Sequence, residues 1–93
     1  MTAMLITVTL SIPWAHSLKQ KRMVVKSLTD RLKKRNLTVM ESGRLDEHSW
    51  AEISMVALAA HRALVDAIYE DTLGFIESEC EAEVVQVTTE WLL

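Results

Sequence analysis

The stretch His16 to Arg35, HSLKQKRMVVKSLTDRLKKR, is compatible with little other than one amphipathic helix. Ser17 is placed as its N-cap. Gln20, three residues on, is placed to bond back and complete a capping box. On a 3.6-residue wheel Leu18, Val24, Val25, Leu28 and Leu32 fall on one face, which must be buried. Lys19, Arg22, Lys26 and Lys33 fall on a neighbouring stripe of a single sign. Asp30 is the only acid in the stretch and lies within pairing distance of Lys26, Lys33 and Lys34.

Eight of the ten basic residues lie in this stretch. The charge is therefore split along the chain. Residues 1–40 carry eight basic residues against one acid, and residues 41–93 carry two against twelve. The formal net charge of −3 conceals about +7 on the first part and −10 on the second. A molecule divided in this way is suited to binding a polyanion with one side, or copies of itself. Lys33, Lys34 and Arg35 suit the negative end of the helix dipole. Lys19, Lys21 and Arg22 oppose its positive end. Free backbone amides and three cations at a helix start make an anion site of Lys19, Lys21, Arg22, Lys26 and Lys33. Long basic side chains lying over apolar surface with wet heads explain the same residues without a ligand.

The 93 residues fit one domain, 1–93, with one modest core. Half the residues are hydrophobic, which predicts a packed globule. Cys80 is alone, so no internal disulfide is possible, and a reducing, cytoplasmic setting is expected. No apolar run is long enough to span a bilayer, and the start of the chain lacks the basic region and cleavage site of a signal peptide.

Residues 4–12 alternate, with Ile6, Val8, Leu10 and Ile12 on one face and Thr7, Thr9 and Ser11 on the other, which predicts a strand. Pro13 ends it. Asn36 marks a break after the helix, and Leu37 to Glu41 reads as a short strand. Ser42 to Trp50 reads as a hairpin loop, and Ala51 to Ala59 as a central strand. A second helix is expected over His61 to Glu79, with a poor cap and with Leu64, Val65, Ile68, Tyr69, Thr72, Phe75 and Ile76 buried. Glu83 to Leu92 reads as a last strand, with Val85, Val87 and Trp91 inward. The order β-α-β-β-α-β with right-handed crossovers predicts a ferredoxin-like α+β sandwich. Two helices would cover one face of a four-stranded antiparallel sheet. The other face, with Thr7, Thr9, Ser11, Ser54, Val56, Leu58 and Thr88, is half apolar, and a homo-oligomer, preferably a dimer, is expected to cover it.

The run Ile12-Pro13 followed by HSLKQKR at His16–Arg22, with VVKSL at Val24–Leu28 and DRL at Asp30–Leu32, resembles the YlxP-like family of small bacterial proteins. WAEI at Trp50–Ile53 and FIE at Phe75–Glu77 extend the resemblance over nearly the whole chain. The resemblance implies a ferredoxin-like fold. It also implies a link to translation, since the family's genes often neighbour those for initiation and ribosome-maturation factors. Trp14 and His61-Arg62 depart from the family pattern.

No cofactor or metal set is expected. His16, His48 and His61 have no second histidine or cysteine at helical spacing, and Gly43 and Gly74 form no phosphate loop. Ser17 is explained by capping. Glu41, Asp46 and Glu47 suit a solvated turn better than acid catalysis. His16 either packs locally or adds to the anion site, and Trp14 either stacks a base or tucks under the core edge. The leading expectation is therefore an RNA- or ribosome-associated binding protein, with recognition on the basic helix. The alternative is a homo-oligomeric module of complementary basic and acidic surfaces. An enzyme acting on an anionic small molecule ranks last, for want of an acid, base or nucleophile set.

Overall fold

Alternation of apolar residues carries the centre of the molecule. In the computed structural model, which describes Met1–Leu93, β1 (Thr2–Ser11) buries Met4, Ile6, Val8 and Leu10 on one face. Strand β3 (Trp50–Ala59) buries Ala51, Ile53, Met55 and Ala57 on the same face. The two pair antiparallel without interruption from Thr2↔Ala59 to Ser11↔Trp50. Around them lie α1 (Leu18–Lys33), β2 (Thr38–Gly43), α2 (Arg62–Glu79) and β4 (Glu83–Trp91). The sheet order is β2-β3-β1-β4, with every neighbouring pair antiparallel. This is the expected β-α-β-β-α-β ferredoxin-like architecture. No helix in it is long and apolar enough to cross a membrane.

One core joins the layers. Val25, Leu28 and Leu32 from α1 and Val65 and Ile76 from α2 pack with the inward residues of the strands. Each such side chain contributes roughly 1.5–3 kcal/mol by leaving water. The capping box forms with a one-residue shift. Gln20 N donates to Ser17 Oγ at 3.1 Å, and Gln20 Oε1 accepts from the N–H of His16 at 2.6 Å. Asn36 closes the α1–β2 turn at φ 60°, a left-handed conformation that asparagine tolerates.

Three expectations are corrected. Strand β1 starts at Thr2 rather than residue 4, because Thr2 Oγ1 donates to Leu93 O at 2.6 Å and Leu92 N donates to Ala3 O at 2.8 Å. Val85 does not face inward. A bulge near Thr9/Leu10 pairs Gln86 with Thr9 and Val84 with Leu10, so Val84 takes the inward place and Val85 is 46% exposed. Leu64 is 45% exposed, outside the α2 contact face of Val65, Thr72 and Ile76.

The second helix starts as poorly as its sequence implies, since the His61 side chain makes no cap hydrogen bond. A Cβ built on Gly74 meets nothing within 4 Å. Gly74→Ala is therefore expected to raise stability by about 0.5–1 kcal/mol, the usual helix penalty of glycine. Ser17→Ala is expected to lower it by about 1 kcal/mol. Denaturant melts check both, and a destabilising Gly74→Ala would contradict the packing described.

Candidate nucleic-acid interface on helix α1

Leu18, Lys21, Val25, Leu28 and Leu32 recur at the three- and four-residue intervals of a helix face; the last four are buried, and Leu18, in the first turn, is half-buried. Lys21 is thus part of the core seam. Its side chain is 1% exposed. Its ammonium donates to the Arg44 carbonyl at 2.6 Å and lies 3.0 Å from Glu41 Oε2, an ion pair without hydrogen-bond alignment. Lys21 therefore leaves the expected anion-binding set. A buried charge needs partners, and Glu41 on β2 and the turn after β2 supply them. The signal was present in sequence as spacing, three residues after Leu18 and four before Val25. Its basic character concealed it.

The remaining candidates stand together. Lys19, Arg22, Lys26 and Lys33 are exposed along the flank of α1, and His16 is exposed just before its cap. The chain forms five ion pairs: Lys21–Glu41, Lys26–Asp30, Arg31–Glu79, Arg35–Asp71 and Arg44–Glu47. Of the five cations outside these pairs, four lie on or just past α1: Lys19, Arg22, Lys33 and Lys34. The fifth, Arg62, stacks on Trp91 with its guanidinium 4.4 Å from the ring centroid. Within the stripe Lys26 Nζ donates to Asp30 at 2.9 Å, and this bond holds the Asp30 carboxyl below its ordinary range, helped by Lys33 and Lys34. Arg22, Lys26 and Lys33 line one side of an open groove of about 390 Å³. Val39, Met40 and Glu41 of β2 line the other.

The other flank of α1 borders a second groove, of about 450 Å³, between Trp14, Met23 and Val24 on one side and Cys80 on the other. Trp14 is 42% exposed at its mouth. The expected acidic patch is divided, because Glu41 is engaged by Lys21 and Glu47 by Arg44. His48 Nδ1 lies 2.8 Å from the Ala15 carbonyl, and Ile12 N donates to Ser49 O at 2.7 Å. These contacts tie the β2–β3 loop to the turn that leads into α1. On the open sheet face Thr7, Ser54 and Ser42 form a hydroxyl row, with Oγ separations of 3.2 and 2.7 Å. That face carries one aromatic residue, Trp50, with the Arg44 guanidinium 5.0 Å from its ring centroid.

Two outcomes test this geometry. Lys21→Ala strands the Glu41 carboxylate and the Arg44 carbonyl, and is expected to cost about 1–3 kcal/mol in denaturant melts. An exposed, anion-binding Lys21 would instead be removed at almost no cost. Desolvation by burial pushes the Cys80 thiol up. Its alkylation at pH 8 is expected to be slower in the folded chain than in denaturant, because the thiolate is the reactive form.

Solved structures resemble this fold at low identity. A de novo designed ferredoxin-fold protein matches 100% of the chain and 87% of its own at 16% identity, with a TM-score of 0.60. A putative PII-like signaling protein from Thermus thermophilus matches 99% of this chain and 89% of its own at 12% identity and a TM-score of 0.54. A dimeric ferredoxin-like protein from an uncultured marine organism matches 100% and 97% at 8% identity and a TM-score of 0.54. At these identities the likeness is one of fold. No curated protein matches the chain in sequence. The model of a family described as a protein of unknown function (DUF503) matches residues 3–89, so the chain belongs to the DUF503 family.

Proposed function

We propose that this chain is a small RNA-associated accessory protein, of the YlxP-like kind within its family, which holds phosphates on the outer flank of α1. The observation that carries this reading is the set of unpaired cations Lys19, Arg22 and Lys33, arrayed with Lys26 along one exposed helix flank. Cations that stabilised the fold would be paired or buried, as Lys21 is. Like charges three and four residues apart on a helix cost a few tenths of a kcal/mol each, so a single-signed stripe favours an anionic partner. The resemblance of the HSLKQKR run points the same way, toward the ribosome and a cytoplasmic setting.

Recognition in this reading is by charge. The open sheet face has only Trp50, which is covered by Arg44, whereas sheets that read RNA stack bases on exposed aromatics. Phosphate contacts position a partner without reading its sequence. His16, exposed just before the helix cap, lies at the start of the stripe, whereas Trp14 lies in the groove on the other flank of α1.

Affinity for RNA is expected to fall steeply with salt. Four phosphate contacts give a log–log slope of about −3 to −4. Combining Lys19→Glu, Arg22→Glu and Lys26→Glu should weaken binding alike for all RNA sequences and flatten that slope, while circular dichroism shows an intact fold. A folded triple variant with unchanged affinity and slope would refute the proposal.

A further inference from the structure

The sheet has two unpaired edges, β2 and β4, and each leaves one row of backbone N–H and C=O groups open. Neither strand contains proline or lysine; β2 carries Glu41, which is paired with Lys21, and β4 carries Glu83 and Glu90 near its two ends. Neighbouring strands alternate in direction, so β4 runs opposite to β2. A second copy, moved sideways across the sheet, therefore sets its β2 antiparallel to β4 of the first. The sheet continues, and all helices remain on one face.

The charges select this arrangement over the alternatives. Helix α1 lies over the β2 edge, and its flank there carries Arg22, Lys26 and Lys33. Helix α2 turns the opposite way. Asp71 and Glu79 pair toward α1, through Arg35 and Arg31. Arg62 marks its other flank, on Trp91 of β4. At helical spacing Asp66, Glu70 and Glu77 fall on that β4 flank, all exposed and none in an ion pair. Two-fold pairing of β2 with β2 would oppose basic flanks, and pairing of β4 with β4 would oppose acidic ones. Only β4 against β2 sets acid against base. Asp66 to Glu77 and Arg22 to Lys33 both span eleven residues, about 16 Å of helix. The apolar residues Val87 and Trp91 on the helix side of β4 are only half covered within one chain.

We propose that copies of this chain associate head to tail, the β4–α2 edge of one seated on the β2–α1 edge of the next. Such a contact is heterologous and builds rings or open arrays rather than a closed pair. It goes beyond RNA binding and competes with it, because both use the outer flank of α1.

Light scattering and sedimentation velocity across concentration, at low and high salt, test the idea on the unmodified chain. Association at low salt that dissociates as salt rises is expected. A strict monomer at hundreds of micromolar in low salt would overturn it, and so would association that strengthens with salt. Two charge variants then identify the edges. The first combines Lys19→Glu, Arg22→Glu and Lys26→Glu; the second combines Asp66→Lys, Glu70→Lys and Glu77→Lys. Each alone should be monomeric, and an equimolar mixture should associate again, since each supplies the sign the other lacks. Assembly by either variant alone, or none by the folded mixture, overturns the proposal. A variant combining Asp66→Asn, Glu70→Gln and Glu77→Gln keeps the α1 flank and adds no cation, so its RNA binding reports on that reading separately.

Discussion

The buried ammonium of Lys21 fixes how α1 sits on the sheet. It lies in the same seam as Val25, Leu28 and Leu32, and it reaches both Glu41 on β2 and the carbonyl of Arg44 just beyond. Any roll of the helix that exposed Lys21 would also lift those apolar side chains and strand both partners. One cation thereby sets the direction of the others. With Lys21 inward, Arg22, Lys26 and Lys33 must face the groove along β2. The Arg44 backbone is held at φ 55°, a left-handed conformation unusual for arginine, and its carbonyl accepts from Lys21 there.

This arrangement converts a charge split along the chain into one across the sheet. Strand order puts β2 at one edge and β4 at the other, so the basic helix and the acidic helix flank opposite sides. The ion pairs Arg31–Glu79 and Arg35–Asp71 join the helices where they face each other, and Arg35 also lies 4.6 Å from the Phe75 ring centroid. Charge of each sign is left over on the outer flanks. The apolar seam and the caps support α1 despite repulsion along its stripe and the lack of any acid in its first turn. This leftover surface charge is what the proposed contacts outside the chain rest on.

Much of this was legible in sequence because local signals agreed. Alternation in β1 and β3, the Ser17 cap and the Asn36 break all act within a few residues. They placed six elements in the right order. The departures have long-range causes. Lys21 is buried by partners 20 and 23 residues away, which no local pattern names. Val85 is turned out by a bulge that exists only in the pairing of β4 with β1. Thr2 joins β1 because the other end of the chain lies beside it. The basic stripe was visible on a helical wheel. That Arg31 and Arg35, outside the stripe, pair with Glu79 and Asp71 was not, because those pairs depend on how the two helices meet.

In the proposed reading the outer flank of α1 is the working surface of the molecule. Amide chemical-shift mapping during titration with RNA at low salt shows where the nucleic acid lands. Shifts are expected on α1 at Lys19, Arg22, Lys26 and Lys33 and along β2, with the open sheet face around Thr7, Ser54 and Thr88 unmoved. Shifts centred on that hydroxyl face, with α1 silent, would contradict it.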